Sequence, residues 1–232
     1  LGGSDPGPRG THAKTVHYSF PVGYWTIGAT SSTSRYHQTV AGLNQSYVYR
    51  GTSENNEIKI NRLLMRDVVQ KLNLVMRAFQ RKSNNYIDDT EVETQKRIVG
   101  GWDATVSHKT FIQEATLESN LTYKRGTGAF GSLPAPEEGF GEGTSRMKML
   151  IGDLNLSLPF TVGAPWGSQL LQYSANLRGQ ANYTPLTPQD RFSIGSRYTV
   201  RGFDGQQTLI ADHGWLIRNE LIAPIAASGQ SL

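Results

Sequence analysis

Residues capable of chemistry are present in this chain, but their spacing assembles no reaction centre. The segment Gly126-Thr-Gly-Ala-Phe-Gly131 has the G-x-G-x-x-G spacing of a dinucleotide loop. Such a loop works only between a strand and a helix whose N-terminus receives the pyrophosphate. Here Ser132-Leu-Pro-Ala-Pro-Glu-Glu138 follows, with two prolines and then more glycines, and the segment reads as a surface loop. His12, His17, His37, His108 and His213 are dispersed, and without cysteine they form no metal-ligand pattern. No Gly-x-Ser-x-Gly elbow offers a serine nucleophile. Asp88, Asp89, Glu91 and Glu93 are acidic enough to attract a divalent cation but lack calcium-loop spacing, so they read as a solvated loop. The sequons Asn120-Leu-Thr122 and Asn182-Tyr-Thr184 fall in segments that read as strands. The expectation is a protein that is not an enzyme and uses no cofactor or metal.

The elements that would position any site follow from composition. Of 232 residues, 18% are charged and 37% hydrophobic, with Gly 25, Pro 10, Tyr 10 and Cys 0. A disordered chain carries more charge and fewer aromatics, and a soluble helical domain has more charge and fewer glycines. The formal charge of +4, from 23 basic and 19 acidic residues, is too small and scattered to form a nucleic-acid stripe. No apolar run approaches the roughly 18–20 residues of a membrane helix. The longest, 221–227, is broken by Pro224. Membrane strands stay open, because their signal lies in alternation.

Alternation is abundant. Leu171, Tyr173, Ala175, Leu177, Ala181 and Tyr183 point one way, while Gln172, Ser174, Asn176, Arg178, Gln180 and Asn182 point the other. Leu154, Leu156, Leu158 and Phe160 oppose Asp153, Asn155 and Ser157, and Ala115, Leu117, Leu121 and Tyr123 oppose Glu118, Asn120, Thr122 and Lys124. About nine strands are expected, near 11–22, 24–36, 46–66, 71–84, 95–109, 113–125, 146–160, 169–183 and 214–225. Many exceed the ~9–11 residues that cross a bilayer at a tilt. Short turns are expected at Pro21-Val22-Gly23, 67–70 and 108–112, and long polar connections at 37–45, 85–94, 126–145 and 184–213. Loops sorted in this way indicate an all-β, antiparallel transmembrane barrel with its long loops outside. Tyr18, Phe20, Tyr24, Trp25, Trp102, Tyr173, Tyr183 and Trp215 suit interfacial girdles, although strands favour aromatics anyway. An odd strand count leaves open edges that cannot face lipid, so an internal section of a larger barrel is expected.

One motif stands out in the longest connection, Arg197-Tyr-Thr-Val-Arg201-Gly-Phe-Asp-Gly205. From its residues alone it could be a hairpin tip in water. With its flank, Asp190-Arg-Phe-Ser-Ile-Gly-Ser-Arg-Tyr-Thr-Val-Arg-Gly-Phe-Asp-Gly205 resembles the signature of two-partner secretion transporters. These TpsB outer-membrane proteins export haemolysins, filamentous adhesins and contact-dependent toxins. Ser34-Arg-Tyr-His-Gln-Thr-Val-Ala41, Asn84-Asn-Tyr-Ile-Asp-Asp-Thr-Glu91, Arg125-Gly-Thr-Gly-Ala-Phe-Gly131 with Pro134-Ala-Pro-Glu-Glu138, and His213-Gly-Trp-Leu-Ile-Arg-Asn-Glu-Leu221 are similar to segments of the haemolysin secretion and activation branch. The Val-Arg-Gly-Phe core is shared with the wider superfamily of barrel-assembly proteins.

The resemblance implies a barrel of roughly sixteen strands behind a plug helix and two periplasmic polypeptide-transport-associated (POTRA) domains. Residues 1–232 would then cover about the fourth to the twelfth strand, with the motif on the loop 184–213 and the periplasmic domains outside the chain. It also implies that Val200, Arg201, Gly202, Phe203, Asp204 and Gly205 fold into the lumen. Arg201 would meet an aspartate on the strand past Leu232, as a loop anchor, a gate or both. Losing that contact would cost up to ~3–5 kcal/mol. Arg77, Glu118, Lys124, Asn176, Arg178 and Gln180 would line a hydrated pore or merely solvate it. The implied function is export of a secreted exoprotein through the outer membrane of a Gram-negative bacterium by a monomeric, lipid-embedded barrel. The rivals are a barrel-assembly insertase of the same superfamily and a soluble β-rich binding protein.

Overall fold

The computed structural model describes residues 10–41, 43, 46–165, 167–196, 199–200 and 208–223. Arg201, Gly202, Phe203, Asp204 and Gly205 lie outside the described residues, and Val200 is the last described residue before them. The strands are β1 His12–Val22, β2 Trp25–Ala41, β3 Ser46–Arg66, β4 Gln70–Ile87, β5 Thr90–Glu91, β6 Arg97–Ile112, β7 Ala115–Thr127, β8 Lys148–Ala164, β9 Gly167–Asn182, β10 Phe192–Ile194, β11 Leu209–Ala211 and β12 Gly214–Ile222. The long ones pair in the order β1-β2-β3-β4-β6-β7-β8-β9-β12, while β5 flanks β4 and β10 pairs with β11 in a separate ribbon. Every pairing between these long strands is antiparallel, so the sheet is a meander. Among the described residues no helix is long and apolar enough to cross a membrane, which says nothing about strands.

Alternation forms these strands because one face is apolar and the other polar. The register places Leu154, Leu177 and Ile217 in one cross-strand row, and Asp153, Arg178 and Leu216 in the row behind it on the opposite face. The strands outrun the apolar segment. β3 has 21 residues and β4 has 18, and their surplus is polar and lies toward the long loops. For the same reason β2 runs to Ala41 and β4 to Ile87, several residues beyond where alternation ends.

The connections separate by length. On one edge of the sheet they are Gly23-Tyr24, residues 67–69, Gln113-Glu114 and the short link between β8 and β9. The third corrects the expected turn at 108–112, because β6 continues through Phe111 and Ile112 to a two-residue turn with Gln113 at φ 55°. Asp67 organises its own turn. The Gln70 side-chain amide donates to Asp67 Oδ2 at 3.0 Å, and the Val69 and Gln70 N–H groups donate to Oδ1 at 2.9 and 2.8 Å. Those bonds, the Gln70 amide first, hold its carboxyl below the usual aspartate range.

The opposite edge carries the long connections, and there the hydrophobic core forms. Met147, Met149 and Leu186 are fully buried and pack with Phe79 and Val99, where the segment after β9 folds onto the polar face. Elsewhere the apolar face remains open, with Tyr18, Ile58, Leu121, Trp215 and Leu221 exposed. A soluble protein would not leave so many large apolar side chains in water.

Candidate functional site

The polar face carries a ladder of charge beneath the long connections. Arg77 on β4 donates from Nε and Nη2 to Asp103 Oδ2 on β6, at 2.9 and 2.6 Å. Its Nη1 reaches Glu57 Oε2 on β3 at 3.2 Å. One turn of alternation along β4, the Phe79 ring lies 5.4 Å from both the Arg81 guanidinium and Lys124 Nζ on β7. Gly101 opposite Phe79 leaves room for that ring on the sheet.

Asp190 comes down onto this cluster from the connection after β9. Its Oδ1 accepts from Lys124 Nζ at 2.8 Å and from Arg81 Nη2 at 3.0 Å. Its backbone carbonyl accepts from Gln180 Nε2 on β9 at 3.0 Å. The Asp190 side chain is only 5% exposed, so it is a buried charge held by two cations from different strands. Burial pushes its carboxyl upward, but the Lys124 and Arg81 charges and hydrogen bonds outweigh it and hold the group below the usual aspartate range.

The local sequence shapes the segment for this descent. Lys148 N–H donates to Thr184 Oγ1 at 3.0 Å, Leu186 is fully buried, and Asp190 N–H closes a turn onto Thr187 O at 2.9 Å. Phe192 then lies against Gly214 at the start of β12. A Cβ on Gly214 would stand 2.2 Å from Phe192 Cδ1, so only glycine admits the ring. Beyond it, Thr199 Oγ1 accepts from the Gly195 and Ser196 N–H groups at 3.0 Å each, a turn that leads directly into Val200. The preceding long connection has its own tie, where Arg97 grips Glu137 through both oxygens, one bond being 2.8 Å. That contact, ahead of burial, holds the Glu137 carboxyl low.

The six residues expected on the pore wall share the polar face by register, but they form two groups. Lys124 and Gln180 bond Asp190, and Arg77 lies beside them, 5.7 Å from the Phe79 ring that Lys124 also meets. Glu118, Asn176 and Arg178 stand apart from Asp190, each with one pairing among the described residues. Lys109 Nζ meets Glu118 at 2.7 Å, Asp153 lies 3.8 Å from Arg178, and Asn176 bonds Asn155. Sequence reading missed Asp190 as an anchor, together with Arg81, Asp103 and Glu57. Asp190 heads the recognised motif, but nothing in its neighbourhood names partners 109 and 66 residues away.

The other candidate features have structural employment. Gly126, the last but one residue of β7, lies under Met147 with no long helix following among the described residues, and a Cβ there would strike Ser145 O at 2.1 Å. Asp88 accepts from Val48 N–H at 2.9 Å, while Asp89 and Glu91 pair with Arg50 and Lys96.

Comparison with known proteins agrees with this architecture. The family described as haemolysin secretion/activation protein ShlB/FhaC/HecB matches residues 2–232. The outer membrane transporter CdiB-2 of Burkholderia pseudomallei is 33% identical over 96% of this chain, which spans 37% of that protein. The hemolysin transporter protein ShlB of Serratia marcescens is 22% identical over 94% of this chain and 38% of its own length. The structure of CdiB from Acinetobacter baumannii superposes with a TM-score of 0.80 at 27% identity, covering 94% of this chain and 38% of that one. CdiB from Escherichia coli, at 20% identity and a TM-score of 0.82, shares the fold. The chain thus spans under two-fifths of the curated relatives it matches, which are transporters and not enzymes. A meander with one apolar and one polar face, loops sorted by edge and a motif-bearing segment docked on the polar face are all accounted for together: the chain belongs to the ShlB/FhaC/HecB haemolysin secretion/activation family and is a section of an outer-membrane β-barrel.

Proposed function

We propose that the parent protein exports a secreted exoprotein through the outer membrane by two-partner secretion, as a monomeric barrel embedded in lipid. Residues 1–232 supply about its fourth to twelfth strands. The carrying observation is the docking of Asp190 between Arg81 and Lys124, which roots the segment leading to Val200 on the polar face.

In this reading the polar face is the wall of the pore. Near the long connections Lys124 and Gln180 hold the loop root together with Arg81, and Arg77 lies beside them. Away from that root Glu118, Asn176 and Arg178 offer weak, mixed contacts to an extended polypeptide and bind no sequence tightly. This root precedes Arg201 and its Gly-Phe-Asp-Gly continuation, which lie outside the described residues and which the family resemblance assigns to the lumen. A buried carboxylate with two cationic partners is costly to disrupt, because removing it strands both cations. The loop is therefore retained at rest and must yield when cargo passes.

The test is export by the full-length parent in an envelope-competent bacterium co-expressing the genetically adjacent exoprotein. Wild type is compared with Asp190→Asn and Arg201→Ala at matched outer-membrane levels. Surface cargo with wild type and at least a tenfold drop in both variants is the expected result. Undiminished export by both variants would remove the loop from the mechanism while leaving transport in place. No export by wild type, with impaired assembly of other barrels on its deletion, would replace this function with that of an insertase.

A further inference from the structure

The apolar face of β1–β4 holds a groove of about 530 Å³, lined by Val16, Tyr18, Ala29, Ile58, Ala78 and Phe130. It exists because Ala29 and Ala78 are small beside Tyr18, Ile58 and Phe130. Phe130 overhangs from the connection after β7, where the chain crosses Gly100 so closely that a Cβ would lie 2.3 Å from Ala129 O.

The long-loop side of the groove is closed by a polar row on the same face. Ser31 Oγ donates to Asn56 Oδ1 at 2.7 Å, Asn56 Nδ2 to Gln80 Oε1 at 3.4 Å, and Gln80 Nε2 to Phe130 O at 2.5 Å. Each member is satisfied by the next, so the row can lie within hydrocarbon. Beyond it, on the same face, the register brings Lys14 on β1, Arg35 on β2 and Lys82 on β4. Glu54 lies in this band opposite Lys82 and offsets part of its charge. No ion pair of Lys14, Arg35 or Lys82 occurs among the described residues.

Depth gives an independent indication. At ~3.4 Å per residue and a tilt of about 40°, the interval from Trp25 to Arg35 spans about 26 Å of membrane depth. An outer-membrane apolar band is ~25 Å tall. With Trp25 at the short-turn interface, Arg35 and its neighbours therefore reach the headgroup level of the opposite leaflet.

The geometry points to a lipid-binding site here for a phosphorylated, multiply acylated lipid. One acyl chain occupies the groove over Ala29 and Ala78, and its phosphate meets Lys14, Arg35 and Lys82. The small alanines supply the space, the aromatic rims supply contact, and the three cations supply the charge that an anionic headgroup requires.

Native mass spectrometry of the full-length parent, stripped of lipid in detergent, tests this directly. The probes are a bis-phosphorylated hexa-acyl disaccharide lipid and the same lipid without its phosphates. Wild type should retain the phosphorylated lipid at least tenfold better than its dephosphorylated counterpart. Lys14→Gln/Arg35→Gln/Lys82→Gln should abolish that preference, and Ala29→Leu/Ala78→Leu should reduce retention with all charges intact. Equal retention of the two lipids by wild type would overturn the site, as would unchanged retention by either variant. If the charge variant fails to insert, judged by heat-dependent gel mobility, the groove-filling variant and the wild-type preference decide.

Discussion

The polar face has two regions built from the same residue types but organised differently. Near the long connections Arg77, Arg81, Lys124, Asp103 and Asp190 share partners, and Asp190 and Asp103 are almost fully buried. Farther from Asp190 the Lys109–Glu118 and Asp153–Arg178 pairs are much more open to solvent and share no partners among the described residues. Burial decides the difference. A buried carboxylate between two cations cannot exchange its partners for water, whereas exposed pairs exchange them at little cost. The first region is suited to holding a segment in place and the second to contacts that must be made and broken.

The largest expected effect comes from removing the shared anion. Asp190→Ala leaves Arg81 and Lys124 facing each other, and should destabilise the folded barrel or its docked loop by about 3–5 kcal/mol. Planar-bilayer recordings of the full-length parent should show higher or noisier conductance. A quiet, wild-type trace would mean that the two regions do not differ as argued. Next, Gly214→Ala drives a methyl into the Phe192 ring and should cost ~1–3 kcal/mol by overpacking, read as a lower guanidinium midpoint. Ring reorientation without loss of stability would show that Phe192 is not part of the anchor.

Acid should separate the regions as well. Because the folded-state pKa of Asp190 is depressed, its contribution is fully present above the unfolded aspartate value of 3.8 and is lost as pH falls through the lower folded value. Protease protection of the loop root should therefore persist from neutral pH to about 4 and fall only in stronger acid. Loss of protection near pH 6 would point to another group. The smallest effect is expected from Arg178→Gln, whose stability change should stay within about 0.5 kcal/mol. Its mark should be a shift in the ion selectivity of the open channel, and an unchanged selectivity would place Arg178 off the conduction path.

The sequence showed the strands more clearly than it showed these two regions. Alternation such as that from Leu171 to Tyr183 records which face meets lipid, and lipid enforces it residue by residue. It falls silent where strands leave the apolar band, so the polar ends of β2 and β4 escaped notice. The turn at Gln113-Glu114 was hidden because neither residue advertises a left-handed backbone, and Phe111 and Ile112 continue the strand to its edge. The six pore-wall candidates were legible as members of a polar face. That Lys124 and Gln180 gather under Asp190 depends on contacts spanning as many as 66 residues, which no local pattern encodes. Glu57 and Asp103, the partners of Arg77, come together through strand register alone.

The register of the meander also bears on how such a wall inserts. Each long strand pairs with its predecessor, so the sheet can grow hairpin by hairpin. Sliding β4 by one residue against its neighbours would turn Arg77 and Arg81 toward hydrocarbon, at ~2–4 kcal/mol for each charge near the bilayer midplane. The same slip would hide Leu74, Met76 and Ala78 in the lumen. The charges on the inner face thus penalise a misaligned register, and the membrane itself disfavours a mispaired strand.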